Sequence, residues 1–236
     1  MAASLVNSAN VLSSTTNTTS YTSSNYTPAS TGNVLVISLM GYNDLSSGSS
    51  SISTITLGGV DISGDIQATQ NSSLSGQRGW SRVYVLVAPS TSAQAVAVTT
   101  GNTLRALAID ITEWSGIDTT TPVASTATDN GATDTTAVLS FTVAGAGNVL
   151  VGSTSVDGGA KGPFTPNSGT TEVTDGQTGG TSFNDNSYST YYKIAASSGA
   201  DTIGTTFSSS YHATAGVELA LASAGGANTS NFFQFI

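Results

Sequence analysis

Hydrophobic and polar residues alternate with a period of two along most of the chain. The clearest stretch is residues 80–122, where three apolar runs end at the turn signals Pro-Ser, Gly-Asn and Ser-Gly. In the third run, Leu107, Ile109 and Ile111 share one face of an extended chain. Such alternation, closed by turns, is typical of antiparallel strands with one face in a core. Because no segment of ten or more residues has helical periodicity with caps, the pattern predicts an all-β protein.

Two other runs, residues 32–40 and 147–156, are apolar almost without interruption, which indicates strands that are covered on both faces. We therefore predict an antiparallel β-sandwich of jelly-roll-like form. The residues expected to be buried between its two sheets are Val34, Val36, Leu107, Ile109, Val149, Val151, Val217 and Leu219.

The chain also repeats itself weakly. GNVLV occurs at residues 32–36 and again at 147–151, and the stretch 83–100 resembles 191–208 at an offset of 108 residues. At the same offset, IDI at 109–111 lies opposite VEL at 217–219. One interpretation is chance, because text rich in Ser, Thr and Val produces weak matches freely. The other is two pseudo-equivalent halves that face each other in one sandwich, with tandem small domains as the alternative.

These observations divide the chain into three parts. Residues 1–31 are expected to form an N-terminal polar arm with a first strand, and residues 226–236 an apolar C-terminal tail. Residues 32–225 are expected to form the β-sandwich, with halves at about 32–125 and 137–225. No Pro-rich or charged linker separates the two halves.

Charge is scarce in this sequence. Only 8% of the residues are charged, against about 25% in typical proteins. The surface must therefore be covered by hydroxyls, amides and backbone. The net charge of −9 repels phosphate backbones and argues against nucleic-acid binding. The absence of Cys excludes disulfides and thiolate metal sites.

The sequence carries no sign of membrane targeting. The N-terminal residues lack the basic region and the long apolar core of a signal peptide. No run of about 18 apolar residues is present to span a bilayer. We therefore expect a protein that is made in the cytoplasm and has no membrane partner.

No catalytic motif is evident. His212 is the only histidine, and we interpret it as a solvated residue in a turn before the last strand. Asp110 and Glu113 lie three residues apart on a strand, which places them on opposite faces and prevents paired acid–base work. Turns that could offer oxygens to a calcium ion occur at Asp129, Asp157 and Asp185. None has the spacing of a dedicated calcium loop, so we predict a non-enzymatic protein without a cofactor, calcium being the alternative.

Trp80 and Trp114 bracket the central stretch. Exposed aromatic residues on a sandwich are the means by which carbohydrate-binding modules stack on sugars, which makes both residues candidates for glycan stacking. The alternative is structural, because Trp114 follows a strand and is well placed to plug one end of the core.

The C-terminal tail is the strongest candidate for docking a partner. After Gly225-Gly226 it carries four large apolar residues, Phe232, Phe233, Phe235 and Ile236. Such side chains are costly to leave in water. They either pack under their own sandwich or dock into another subunit, and we predict that they dock.

The overall pattern resembles a family of structural proteins on tailed-phage particles. The matching features are GNVLV near the start of each half, VYVLVAPST before an alternating strand, and SGIDTTTP after ITEW. The resemblance covers roughly residues 30–225. It implies a β-sandwich on the virion surface, made in the host cytoplasm, that decorates or cements a capsid or serves as a tail or fibre module.

The partners implied by this resemblance are capsid or other virion proteins, together with copies of the same chain in a homo-oligomer. The alternative function is a carbohydrate- or receptor-binding module of a tail fibre or a cell surface.

Overall fold

The structure is a computed structural model that describes residues 2–43, 51–72, 79–180 and 185–223. The regular structure in these residues is β-strand, apart from one 3-10 turn at Ser63–Asp65. The strands form three antiparallel sheets, which confirms the prediction of an all-β sandwich. No helix in the described ranges is long and apolar enough to cross a membrane.

The first half of the fold contains nine strands. They are β1 (Ser4–Ser14), β2 (Thr18–Tyr26), β3 (Val34–Tyr42), β4 (Ile52–Leu57), β5 (Val60–Asp61), β6 (Ile66–Asn71), β7 (Gly79–Val87), β8 (Gln94–Leu104) and β9 (Ala106–Ser115). One sheet has the order β1-β9-β3-β7-β6 and the other the order β2-β8-β4-β5. The first strand thus pairs with the last, and the second with the one before the last.

The N-terminal residues contain the expected first strand but form more than a polar arm, because residues 4–26 supply one strand to each sheet. β1 pairs with β9, and β2 pairs with β8. Although most of their side chains are polar and exposed, Val11 and Tyr21 point into the core and are buried. The pairing partners lie about 70 to 110 residues away along the chain.

The second half contains six strands. They are β10 (Val123–Val143), β11 (Val149–Asp157), β12 (Thr165–Pro166), β13 (Thr171–Gln177), β14 (Asn186–Ile194) and β15 (Gly199–Leu219). The sheet order is β10-β15-β11-β14-β13, with β12 paired to β15. The long antiparallel pair of β10 and β15 folds over its own sheet, because Leu139 and Ile203 pack on Leu150 and Tyr191. Register shifts between residues 131 and 136 mark the bend.

The two halves have equivalent topology, which supports the interpretation of the repeat as two related halves. In the first half Val34 of the GNVLV motif pairs with Val87 and Trp114. In the second half Val149, in the same motif, pairs with Ile194 and Leu219. Strands β3, β6, β7 and β9 therefore correspond to β11, β13, β14 and the end of β15.

The repeat extends to irregularities in the strands. β6 has a register shift between Ile66 and Ala68, and β13 has one between Glu172 and Thr174 at the matching position. The alignment that we derived from the sequence is nevertheless wrong by one residue in β7, where the counterpart of Val83 is residue 190 and not 191. It is wrong by three residues in β9, where the counterpart of Ile109 is residue 214 and not 217. A shift of one residue matters because it moves every side chain to the other face of the strand.

Each half has its own core, and a third apolar cluster joins them. The core of the first half lies between its two sheets and contains residues of that half alone. The same holds for the second half. The third cluster, which we call the shared core, consists of Ala3, Val34, Val36, Ala68, Val83, Val85, Trp114, Ile117, Val149, Val151, Ala215, Val217 and Leu219. The expectation of two halves facing each other across one core is therefore wrong: two sandwiches pack back to back.

The contacts across the shared core come in matched pairs. The ring of Trp114 packs edge-on against Tyr192, with centroids 5.0 Å apart. Their counterparts, Leu219 and Val85, lie in the same cluster. Equivalent faces thus meet, as they do in the two-fold interface of a homodimer.

All eight residues predicted to be buried are 0–1% exposed, so that prediction is confirmed. They divide between two clusters. Leu107 and Ile109 lie in the core of the first half, and the other six lie in the shared core.

We predict that Leu107→Ala and Leu219→Ala each lower the free energy of unfolding by about 2–5 kcal/mol, because each leaves a cavity in a packed interior. Val60, which is 57% exposed, provides the control, and Val60→Ala should change the free energy of unfolding by less than about 0.5 kcal/mol. Urea unfolding of the three variants measures the effect. Losses below about 0.5 kcal/mol at both leucines would contradict the strand registers.

Candidate functional site

Both tryptophans lie inside the molecule, so the glycan-stacking hypothesis for Trp80 and Trp114 is wrong. Trp80 is 1% exposed and fills the space above Gly41, where a Cβ atom would overlap the indole. Its ring also carries the Arg82 guanidinium 5.0 Å from the centroid. Trp114 is fully buried in the shared core, and its Nε1 donates to Thr112 Oγ1 at 2.9 Å. Neither indole has a face that a sugar could reach.

Asp110 and Glu113 lie on opposite faces of β9, as predicted. Asp110 faces the second half and accepts hydrogen bonds from Thr190 Oγ1 of that half at 2.6 Å and from Asn10 Nδ2 of β1 at 2.7 Å. Glu113 faces the loop before β3 and accepts from Asn33 Nδ2 at 2.6 Å. The two carboxylates therefore belong to separate networks.

The Glu113 network has a counterpart in the second half. Glu113 also accepts from the Tyr26 hydroxyl at 2.8 Å and from the Ala29 N–H at 2.8 Å. Glu218, at the matching position, accepts from Asn148 Nδ2 and from the Ala144 N–H, at 2.6 and 2.7 Å. Both carboxylates are fully buried and tie the loop before the central strand to the last strand of their half.

His212 is buried, so its interpretation as a solvated turn residue is wrong. It lies within β15, is 1% exposed, and packs edge-on against Phe207. Its Nε2 lies 3.3 Å from Asp129 Oδ2, and this contact together with the Val138 N–H holds the pKa of Asp129 below its usual value against the effect of burial. Within the described ranges, no three His, Cys, Asp or Glu side chains are grouped so that they could hold a metal ion.

The interior of the second half is more polar than that of the first half. This contrast follows from comparing equivalent inward-facing positions. Trp80, Arg82, Leu39, Leu107 and Ile109 of the first half correspond to Ser187, Ser189, Thr154, His212 and Thr214 of the second. Four of these five positions of the second half thus hold a small hydroxyl side chain and one holds a histidine, where the first half has large side chains.

A pocket of about 310 Å³ opens at the end of this polar interior. We call it the β13 pocket, and it is lined by Ala160, Gly162, Phe164, Asp175, Gly176, Gln177 and Ser187. Asp175 and Gln177 stand two residues apart on β13, so both point to the same side of that strand. Ser187 of β14, which lines the pocket, is the counterpart of Trp80, whose indole is packed in the first half.

The predicted docking residues Phe232, Phe233, Phe235 and Ile236 lie outside the described residues, and their role stays a prediction. The described chain ends beside the shared core. There Leu221 forms a bridge with Ile117, and its N–H donates to Asn148 Oδ1 at 3.1 Å. The segment that follows residue 223 therefore starts close to the interface between the halves.

No protein-family model, curated protein or solved structure matches the chain. The two halves provide a comparison of their own. Phe164, Asp175 and Gln177 were not predicted as site residues, because residues 158–180 are rich in Gly, Pro, Thr and Asn and show no clear strand pattern. The signal that points to the pocket is Ser187 opposite Trp80, which is visible only when the repeat is aligned in the register of the strands.

We predict that Asp110→Asn stabilises the protein at pH 7. Burial raises the pKa of Asp110 from 3.8 to about 6, whereas its hydrogen bonds with Thr190 and Asn10 oppose that rise. Between about pH 4 and pH 6 the folded protein therefore binds more protons than the unfolded chain, so this group costs stability as the pH rises. An amide at position 110 keeps a donor and an acceptor for Asn10 and Thr190. We expect a gain of about 1–3 kcal/mol at pH 7.

The measurement is the free energy of unfolding from pH 4 to pH 7. Asp118→Asn is the control, because the Thr120 and Thr121 N–H groups lower the pKa of Asp118, which therefore titrates below this range. The expected result is a flatter pH dependence for Asp110→Asn than for the native protein and the control. Parallel curves for all three proteins would contradict the prediction.

Proposed function

We propose that this chain is a non-enzymatic structural protein of a virion, a decoration or cement protein that docks on the particle surface and stabilises it. Its partners in this proposal are capsid or other virion proteins and further copies of itself. The observation that carries the proposal is the back-to-back fusion of two equivalent sandwiches through the shared core. Such a fusion gives one block without a hinge, which suits a protein that must reinforce a lattice.

The course of the chain supports this proposal. In the first half, β1 pairs with β9 and β2 with β8, so the chain wraps from one sheet to the other and back. We interpret this wrapping, and its repetition in the second half, as jelly-roll-like. Double-sheet jelly rolls occur in viral capsid domains and in lectins. The phage-protein resemblance of the sequence points in the same direction.

The low charge of the surface is also consistent with docking. Interface centres are depleted of charged residues, because a buried charge must be paired or pay a desolvation cost. Strand β10 is an example of a surface with little charge. Its residues 123–130 alternate between half-buried and exposed positions, and they are Val, Ala, Ser and Thr with one Asp and one Asn. Hydroxyl groups lose less on docking than charged groups do.

In this proposal the C-terminal tail is the docking arm. Burying one large apolar side chain contributes about 1.5–3 kcal/mol, so Phe232, Phe233, Phe235 and Ile236 together offer a substantial gross gain. Ordering the tail and losing free motion on association reduce that gain. Among the described residues, the clusters that hold the two sandwiches together lie between Ala3 and Leu221, and we expect the sandwiches to fold without the tail.

The second candidate function is a carbohydrate- or receptor-binding module of a tail fibre or a cell surface. The observation that favours it is the β13 pocket, because the equivalent position of the first half is filled by Trp80. A jelly-roll-like fold is compatible with either role.

The test uses particles purified from the source of this chain, imaged by negative stain after labelling with an antibody against the chain. A regular array of label on the particle surface is the expected result. Label confined to a tail fibre would favour the second candidate, and particles without label would contradict a virion role for this chain.

We further predict that deletion of residues 227–236 abolishes or weakens rebinding of the purified chain to stripped particles and leaves the melting temperature unchanged. A full-length variant with Phe232, Phe233, Phe235 and Ile236 each changed to Ser is the matched variant, because it keeps the length of the tail. Co-sedimentation measures rebinding, and thermal melting measures the fold. Full rebinding by both variants, or failure of both to fold, would show that the tail is not a docking arm.

A further inference from the structure

We propose that the β13 pocket binds one neutral sugar ring of a glycan. The pocket lies in the second half, between β13, β14 and residues 160–164. The inference goes beyond docking on a particle and does not depend on it, because it concerns a different part of the molecule from the tail.

The first step of the argument is the comparison between the two halves. Protein interiors are normally filled to crystal-like density. The first half obeys this rule at the equivalent place, where the Trp80 indole lies above Gly41 and Arg82 follows it on the same face. In the second half these positions hold Ser187 and Ser189. The fold therefore does not require an open pocket here, because the equivalent position is packed in the described residues of the first half.

The second step is the set of polar groups around the opening. Asp175 and Gln177 are exposed at its mouth and lie side by side on one face of β13. Gln177 Oε1 accepts from the Ala160 N–H at 2.8 Å, which holds the amide in place and leaves its Nε2 to donate. The Asp175 carboxylate can only accept when ionised. One fixed donor beside one acceptor matches two neighbouring hydroxyls of a sugar.

A buried hydroxyl lies on the same face of β14 as Ser187. Ser189 is fully buried, and its Oγ has no hydrogen-bond partner among the described residues. It pairs with Asp175 of β13 but does not itself line the pocket. Because Trp80 Nε1 of the first half is also without a partner among the described residues, the Ser189 hydroxyl adds polarity behind the pocket and is not counted as a ligand contact.

The apolar part of the lining completes the site. Phe164 contributes the one aromatic ring among the lining residues, and Gly162 and Gly176 lack side chains that would block approach to the backbone. A sugar ring has an apolar C–H face that packs on such a surface, while its hydroxyls point towards Asp175 and Gln177.

The volume of the pocket and the charge around it restrict the class of ligand. The volume of about 310 Å³ lies at the lower end of the range for ligand pockets, about 300–1,000 Å³, so the site accepts one ring. Asp175 at the mouth, with Glu172 near enough to have its pKa raised by burial and by Asp175, disfavours an anionic sugar. A net charge of −9 acts in the same sense. The ligand class is therefore a neutral hexose or N-acetylhexosamine.

The test is ligand-observed NMR and calorimetry of the full chain with glucose, galactose, mannose and N-acetylglucosamine. We expect saturable binding of at least one of these sugars with a dissociation constant on the order of millimolar, as befits a single ring. Asp175→Ala and Gln177→Ala should each weaken it at least tenfold, by removing one side of the hydroxyl recognition. Ser187→Trp should abolish it by placing an indole where the first half has one.

Matched controls come from the first half. Thr69 and Asn71 occupy the positions equivalent to Asp175 and Gln177, so Thr69→Ala and Asn71→Ala should leave binding unchanged. Asp175 and Gln177 are exposed, so their variants should keep the native melting temperature. Absence of saturable binding to all four sugars, or binding that both pocket variants leave unchanged, would overturn the proposal. Binding of acidic sugars alone would overturn it as well.

Discussion

The packing of β3 and β11 against each other, through the shared core, is the interaction on which the rest of the structure depends. Every residue of both strands is buried, because one face of each lies in its own sandwich and the other in the shared core. Polar contacts across the same interface fix its alignment. Ser81 Oγ donates to the Ser153 carbonyl at 3.0 Å, and Asn186 Nδ2 donates to the Met40 carbonyl. Two small sandwiches thereby become one body with three layers of apolar packing.

Buried carboxylates fasten each half to its central strand. Glu113 and Glu218 accept hydrogen bonds from N–H and amide groups that precede β3 and β11, and such bonds offset the cost of burying a charge. Because the same buried glutamate network occurs at equivalent positions of both halves, it is part of the repeated half-structure. Asp110 is different, since its counterpart in the second half is Ala215. Asp110 makes a hydrogen bond between the halves and is not a feature that both halves share.

A comparison of the two halves also distinguishes the features that both halves share from those that occur in one half. The first half fills its interior with Trp80, Arg82 and large aliphatic side chains, whereas the second half keeps hydroxyls at the same positions. Both interiors are held by the same sheets and the same buried glutamates. The second half can therefore carry a pocket without loss of the scaffold, and the first half supports it through the shared core.

The sequence by itself determined the class of fold and its buried positions. Period-two alternation identified Leu107 and Ile109 as core residues, and the continuous apolar runs around Val34 and Val149 indicated strands covered on both faces. Only the tertiary structure decided which sheet covers each face, that residues 4–26 pair as strands, and that Trp80 and Ser187 are counterparts. The physical reason is that alternation tells which side chains share a face, whereas register is set by hydrogen bonds to strands far away in the chain. A shift of one residue in that register exchanges the two faces.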